Sequence, residues 1–497
     1  MLLAQLLHSV EYRLLQGTTD IEITGITDHS AKVKPGDMFV CVKGHHTDGH
    51  RYIPDVFAAG ALCVVAEQIC ENLEQMMSQY PEVCVILVRN TMKALALLAS
   101  AFYGDPARRL TMIGITGTKG KTTTACMLNA ILRRAGIASG TIGTLGAWYD
   151  ETLETPVTTT PDAVTLHRLL AEMERRGCTH VVLEVSSQSL MNRRVYGIPF
   201  RLGIFTNLYP DHIGPGEHGS IEEYCYWKST LFAHSDISVI NRNAAGAGMM
   251  ADMAASEVLY YSLEQEDLDN HLQDNTLQDG NHKFKSSFEP QNQIVFDGQV
   301  ISLSLPGRYN QENALAAMTA ANALGVPGSA FKALETLEVP GRTELLQGDG
   351  VQVVIDYAHN ESSMENLLKT LREMKPKRLI CVYGSGGNRS ALRRQGMGRA
   401  GGRFADLSVL TEDNSRTEPL EQIIAGLIEG VTSVQGEYLV IPDRREAIHQ
   451  VIVSAEEGDL IAIIGKGHEN YQEIGTERYP FSDREEARRA LEERRHR

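Results

Sequence analysis

No two cysteines of this chain stand in a C-x-x-C spacing, although there are eight of them: Cys41, Cys63, Cys70, Cys84, Cys126, Cys178, Cys225 and Cys381. That lack argues against a zinc ribbon and against a dithiol redox motif, and scattered single thiols suit a reducing compartment. Apolar runs long enough to cross a bilayer are also missing. The opening stretch MLLAQLLHSVEYRLLQG has no basic leader, so it predicts an amphipathic helix and not a secretory signal, and a cytoplasmic location is expected. Positive charge is in deficit: 47 Lys and Arg against 63 Asp and Glu leave a formal net charge of -16. This excludes a protein that coats nucleic acid or an anionic membrane, but it leaves room for local basic sites that hold small anions.

The 497 residues exceed what one core supports, and no internal repeat divides them. Three regions separate by pattern. Residues 1–105 alternate strand-like runs (DMFVCV, ALCVVAE, VCVILV) with helical stretches, and the helix TMKALALLASAFYG runs into GDPARR, which reads as a linker. Residues 106–340 begin with the strand LTMIGIT and continue through HVVLEVSS, LGIFTNL and SVINRN to the helix NALAAMTAANALGV, which Gly325 stops. Inside this region LEQEDLDNHLQDNTLQDGNHKFKSSFEPQNQ is polar and aperiodic, and it predicts a hairpin-bearing excursion or a mobile loop. Residues 341–497 carry the strands VQVVIDYA, RLICVYG, LSVLT and LIAIIG, each followed by a loop and a helix. That is a doubly wound α/β pattern, whose ligands sit at strand C-termini.

The strand LTMIGIT leads into TGTKGKTTT and then a helix. Backbone N–H groups of such a turn, together with the helix N-terminus, face phosphate oxygens. Lys121 can reach the β and γ oxygens, the Thr122 hydroxyl suits Mg²⁺, and Gly117 and Gly120 permit the close turn. The commoner phosphate loop has a further glycine where this chain has Ile115. Two other strand ends would lie on the same edge of a parallel sheet. One carries Glu184 in LEVSSQSL; the other carries Asp211 and His212 in TNLYPDHIG, with Lys228 in the helix beyond. Carboxylate oxygen with imidazole suits a second Mg²⁺ or Mn²⁺. In the third region Asp413, Asn414 and Arg416 follow the strand LSVLT, and an acid beside a guanidinium suits a zwitterion, although an Asx turn with a surface arginine would read the same.

The short T-G-T-x-G-K-T loop resembles that of the Mur ligase family of ATP-dependent amide-forming enzymes. The resemblance extends along nearly the whole chain. ITDHSAKVKPGDMFVCVKGHHTDGHRYI, TTTP, EVSS, TNL, GRYNQENALAA, PGRTELL, IDYAHN, GSGGNR, EDNSR and GKGHENYQ stand in the order seen in the UDP-N-acetylmuramyl tripeptide synthetases. It implies an α/β fold of three domains: an N-terminal UDP-binding domain (1–105), a central P-loop-type ATPase domain with a mostly parallel sheet (106–340) and a C-terminal Rossmann-like domain (341–497).

By position, the resemblance implies that Ser30, His45 and His46 hold the uridine diphosphate, and that Thr159, Thr160, Ser187, Asn192 and Arg194 hold the muramyl dipeptide. Gly117, Thr118, Gly120, Lys121, Thr122 and Thr123 cradle ATP, and Asn310, Arg342, Asp356 and His359 match further nucleotide contacts. Thr122, Glu184 and His212 are the implied metal ligands, for two Mg²⁺ sites. Lys228 matches the lysine that the family carries carbamylated, as N6-carboxylysine; with Lys121, Glu184 and His212 it makes the implied catalytic set. Arg389, Asp413, Asn414, Arg416, Gly465 and Glu469 match the pocket for the incoming amino acid. Diaminopimelate-adding members have Asp-Asn-Pro-Arg where this chain has Asp413-Asn414-Ser415-Arg416, whereas DHIGPGEH is closer to lysine-adding members. Because Arg416 can clamp a distal carboxylate, meso-diaminopimelate is favoured over L-lysine. The expected partners are therefore small molecules only (UDP-muramyl dipeptide, a diamino acid and ATP), acting on a monomer. A folylpolyglutamate-synthetase-like ligase and a non-catalytic paralogue that binds nucleotide or UDP-muramyl peptide are the alternatives.

Overall fold

The computed structural model describes residues 1–44, 47–155, 158–211, 213–214, 217–264, 288–289 and 292–496. The polar excursion expected near residue 280 lies almost wholly outside them. The chain divides into two compact units, residues 1–288 with 294–301 and 312–334, and residues 289–293 with 302–311 and 335–497.

The first unit holds two α/β sheets. Strands β1 (Tyr12–Gln16), β2 (Gly25–Thr27), β3 (Asp37–Val40), β4 (Cys63–Ala66) and β5 (Cys84–Val88) are ordered β1-β5-β4-β3-β2. Side-chain alternation explains why β3 and β4 read as continuous apolar runs. Met38, Val40, Cys63 and Val65 pack on one face with Leu95 and Leu98 of the helix Thr91–Phe102. Phe39, Cys41, Val64 and Ala66 pack on the other with Val56 and Phe57.

The N-terminus departs from the expected amphipathic helix. Helix is confined to Leu3–Leu6, with a 3₁₀ turn at Leu7–Ser9, and Tyr12–Gln16 forms an antiparallel edge strand on β5. One helical turn is too short to sustain itself, and the open edge of β5 offers the backbone a ladder of partners instead. The linker GDPARR holds a further 3₁₀ turn, Pro106–Arg108.

The central sheet comprises β6 (Thr111–Thr116), β7 (Ser139–Gly143), β8 (Gly146–Tyr149), β9 (Glu151–Glu154), β10 (His180–Glu184), β11 (Phe200–Phe205), β12 (Ser235–Asn241) and β13 (Glu257–Tyr261), ordered β13-β12-β11-β6-β10-β7-β8-β9. From β13 to β7 the strands run parallel, and β8 and β9 close the edge antiparallel. β6 lies between β10 and β11, with Glu184 level with Ile115 and Phe205 level with Thr116. Three strand ends thus meet around the loop that follows β6. A small sheet of β14 (Phe288–Glu289), β15 (Gln293–Phe296) and β16 (Gln299–Ser302) stands apart.

The second unit carries β17 (Glu344–Gly348), β18 (Val351–Asp356), β19 (Leu379–Tyr383), β20 (Leu407–Leu410), β21 (Tyr438–Val440) and β22 (Leu460–Ile464), ordered β17-β18-β22-β19-β20-β21. Only β17 is antiparallel. Ile380, Val382, Ile461 and Ile463 face one core; Leu379, Cys381, Leu460 and Ala462 face the other. A hairpin, β23 (Tyr471–Ile474) and β24 (Glu477–Pro480), follows β22.

One core residue costs stability in acid. His167, on the helix Ala163–Arg175, is 1% exposed, and among the described residues neither ring nitrogen has a hydrogen-bond partner. Burial holds its pKa down at about 4, against 6.5 for the free ring. Between those values the unfolded chain binds the extra proton, so the folded state loses stability as pH falls from about 6.5 towards 4. Denaturant titrations at pH 7.5 and pH 5 should show a loss of about 2 kcal/mol from this group. A His167→Leu variant should lack that part of the loss.

Candidate active site

The turn after β6 is built on two glycines in the left-handed half of φ space, Gly117 at 146° and Gly120 at 85°. A Cβ on Gly117 would lie 1.9 Å from Thr206 Oγ1, and one on Gly120 would lie 2.2 Å from Asn313 Oδ1. Only bare backbone fits at those two positions. The loop is pinned from β11's end: Asn207 Oδ1 accepts from Lys119 N at 2.8 Å, and Thr206 Oγ1 donates to Lys119 O at 2.7 Å. Thr118 Oγ1 accepts from Tyr209 N at 3.0 Å and from the Tyr224 hydroxyl at 3.2 Å. Asn207 falls within the TNL stretch, but spacing gives neither it nor Tyr224 this role; they act through position.

Two lysines converge on one carbonyl. Gly117 O accepts from Lys121 Nζ at 2.8 Å and from Lys228 Nζ at 2.9 Å. Lys228 is 1% exposed on the helix Ile221–Ser229, over the Tyr224 ring at 4.3 Å. Burial pushes its pKa well below the ordinary lysine value, and the neighbouring Lys121 charge pushes the same way, against a weaker opposing pull from Asp211. Burial there works against the charged form of the amine. Asp211 itself pairs with Lys119 at 3.2 Å.

Across the loop, Glu184 is 2% exposed and its oxygens are used by hydroxyls and an amide. Glu184 Oε2 accepts from Thr122 Oγ1 at 2.9 Å and from Thr144 Oγ1 at 3.2 Å, and Oε1 accepts from Thr144 N at 2.8 Å. Hydroxyl and carboxylate oxygens side by side at a phosphate loop are hard donors that fit Mg²⁺. Among the described residues no group of three His, Cys, Asp or Glu that could hold a metal stands together. His212, expected as a third ligand, lies outside the described residues. Thr144 was not foreseen, but the strand-end rule that singled out Glu184 applies equally to the turn after β7.

The expected dipeptide residues adjoin this centre. Thr159 Oγ1 lies 3.2 Å from Thr144 Oγ1. Thr160 Oγ1 donates to Glu184 O at 2.8 Å, and Arg194 Nη1 donates to Thr160 O at 2.8 Å. Ser187 Oγ meets His218 Nε2 at 2.8 Å, and Asn192 caps the short helix Ser187–Met191. Burial lowers the pKa of Arg194, while Asp162 and Asp28 act on it in the opposite sense. Ser30, in the 3₁₀ turn Ser30–Lys32, makes none of these contacts. His45 and His46 lie outside the described residues.

The remaining expected residues belong to the second unit. Asn310 Nδ2 donates to Pro306 O at 2.8 Å. Asp356 Oδ2 accepts from Thr343 N and Oδ1 from Ala358 N, each at 2.7 Å; burial raises its pKa, with Arg342 opposing. Arg342 stacks on the Tyr357 ring at 4.9 Å, and His359 packs edge-on against the same ring at 4.8 Å. Around the ends of β20 and β22, Asn414 Nδ2 donates to Glu469 Oε2 at 2.9 Å, and Arg416 donates to Glu473 Oε2 at 3.2 Å and to Gly387 O at 2.9 Å. Gly465, at φ 113°, is needed because a Cβ would stand 2.5 Å from Asp413 Oδ2. Arg389 is exposed, its Cγ 3.8 Å from where a Cβ on Gly386 would be. The residue missed by sequence is Lys466. It is wholly buried, and its Nζ donates to Asn414 Oδ1 at 2.8 Å and to Glu469 Oε2 at 3.1 Å.

A glycine-turned loop on a parallel sheet, with a buried carboxylate from a flanking strand and a buried lysine from the helix Ile221–Ser229, has the frame of a phosphate-loop enzyme. Residues 22–103 match the Mur ligase family catalytic domain, residues 115–321 the Mur ligase middle domain and residues 341–467 the Mur ligase glutamate ligase domain. The chain belongs to the Mur ligase family, with its three-domain α/β fold. It is 38% identical over 502 residues, covering 99% of each chain, to the UDP-N-acetylmuramoyl-L-alanyl-D-glutamate–2,6-diaminopimelate ligase of Caldanaerobacter subterraneus subsp. tengcongensis. It is 36% identical to the ligase of the same name from Clostridium botulinum, covering 97% of each. A solved structure of a ligase of that name superposes with a TM-score of 0.67 at 28% identity, covering 99% of both chains.

The turn's dependence on glycine is directly testable. Gly117→Ala should lower stability by about 1–3 kcal/mol, from overpacking against Thr206 and a strained φ, read as a lower denaturant midpoint at unchanged slope. An unchanged midpoint would remove the steric argument for the loop.

Proposed function

We propose that this enzyme joins meso-diaminopimelate to the side-chain carboxylate of the D-glutamate in UDP-N-acetylmuramoyl-L-alanyl-D-glutamate, at the cost of ATP, in peptidoglycan precursor synthesis. Near-full-length similarity to ligases so named supports the substrates. The observation that carries the chemistry is the convergence of Lys121 and Lys228 on Gly117 O beside the Thr122–Glu184 pair.

The loop backbone from Gly117 to Thr123 receives the ATP phosphates, and Lys121 swings its ammonium from Gly117 O to the β and γ oxygens. Thr122 and Glu184 would hold Mg²⁺, which supplies positive charge to the phosphates. Transfer of the γ-phosphoryl group to the glutamate carboxylate gives an acyl phosphate and ADP. The amine of the diamino acid attacks that carbonyl, phosphate leaves, and the amide forms. Little covalent work falls to the protein: its side chains position the groups and neutralise charge. Thr159, Thr160, Ser187, Asn192 and Arg194 orient the dipeptide, with Ser30, His45 and His46 on its uridine diphosphate end. Asn310, Arg342, Asp356 and His359 contribute further nucleotide contacts. Arg389, Asp413, Asn414, Arg416, Gly465 and Glu469 take the amino acid. The Lys228 amine, in its unprotonated form, adds to dissolved CO₂, releasing a proton and leaving a carbamate, which places a negative charge at the loop.

A ligation assay with the UDP-muramyl dipeptide, offering meso-diaminopimelate, L-lysine and L-ornithine side by side, tests the reading. Amide formation with meso-diaminopimelate, and ADP release that needs both other substrates, are expected. Lys121→Ala should lower turnover by at least about 1,000-fold, the loss of a charge clamp on the transferring phosphoryl group. Substantial ligation by that variant would sink the loop assignment. Glutamylation of folates in place of muramyl-peptide ligation would move the enzyme to the folate branch, and binding without ADP release would make it a sensor.

A further inference from the structure

Lys466 follows Gly465 at the end of β22 and is a lysine with no exposed surface inside a cluster of acids. Besides its bonds to Asn414 Oδ1 and Glu469 Oε2, its Nζ stands 3.8 Å from Asp413 Oδ1. The partners of Asn414 determine which way its amide faces. Two groups that can only donate, Lys466 Nζ at 2.8 Å and Glu473 N at 2.9 Å, address one terminal atom. A carboxylate oxygen, Glu469 Oε2 at 2.9 Å, addresses the other. The first atom must therefore be the oxygen and the second the NH₂.

Among the described residues Asn414 Nδ2 makes one hydrogen bond, to Glu469, so its second N–H remains for a ligand. The Arg416 guanidinium is likewise committed at Nε and Nη1, and Nη2 makes no bond among the described residues. Arg416 Nη1 and Asn414 O stand 3.7 Å and 3.9 Å from the Cβ direction of Gly386, so both residues line that loop. The pocket thus offers donors for a distal carboxylate, which meso-diaminopimelate carries and L-lysine lacks.

We propose that Lys466 helps hold the polarity of Asn414, and thereby makes this pocket select an amino acid with a distal carboxylate over one that lacks it. It acts through Asn414 and Glu469 as a positioning residue. The inference rests on the reading of this pocket as the acceptor amino-acid site. Replacing Lys466 removes one of the two donors that hold the amide, and leaves Glu469 and Asp413 without their buried counter-charge.

The test is steady-state kinetics of the full-length enzyme with meso-diaminopimelate, and with L-lysine read both as substrate and as competitor. Lys466→Met should raise KM for meso-diaminopimelate about 10- to 100-fold, the range for a hydrogen bond to a charged group. Preference over L-lysine should fall by the same factor, while KM for ATP and for the UDP-muramyl dipeptide stays put. Lys466→Arg, which still donates, should keep most of the preference. Asn414→Asp replaces the NH₂ by oxygen with Lys466 in place; it should lose the preference too, and it supplies the answer if Lys466→Met does not fold. A wild-type KM for meso-diaminopimelate in Lys466→Met overturns the proposal, as does an equal loss towards both amino acids or an Asn414→Asp variant with unchanged preference. Wild-type enzyme that attaches neither amino acid would instead bring down the acceptor-site reading itself, and this inference with it.

Discussion

A single backbone oxygen, that of Gly117, accepts from two lysine side chains, and the arrangement of the first unit's site depends on it. One lysine belongs to the loop's own helix; the other arrives from Ile221–Ser229, more than a hundred residues later. Gly117 holds a φ of 146°, and a Cβ there would stand 1.9 Å from Thr206 Oγ1. Burial beside Lys121 destabilises the second lysine's ammonium, against a weaker pull from Asp211. Loop conformation and lysine charge meet at that one oxygen.

The second unit solves the opposite problem. Lys466 is as deeply buried as Lys228, but it bonds directly to a carboxylate and an amide oxygen. A buried cation paired in this way fixes geometry. Arg444 is a further cation of this kind. It is buried with Asp483 at 2.7 Å, and it also donates to Ile464 O at 3.0 Å, bracing the strand end from which Lys466 departs.

Much of this was legible in the sequence because the sheets are parallel and covered on both faces. Their strands read as short apolar runs, and the rule that ligands gather at strand C-termini placed Glu184 and Asp413 before any geometry was known. What escaped was set by tertiary partners. Tyr12–Gln16 carries leucines at a spacing that suits a helix as readily as a strand, and only the open edge of β5 decides between them. Thr144 and Lys466 stand beside residues that were singled out, but nothing in their local pattern says which of several polar neighbours turns inward. Asp28, Asn207 and Tyr224 act on groups far along the chain, and spacing carries no trace of that.

The nucleotide loop lies at residues 117–123, yet the groups that hold it come from Glu184, Asn207, Lys228 and, through Thr124 Oγ1 at 3.3 Å, Asn313. β6 also needs β10 and β11 on either side. During synthesis, which proceeds from the N-terminus, the loop sequence leaves the ribosome nearly two hundred residues before its last support. A growing chain therefore carries the loop residues well before the groups that shape the loop exist.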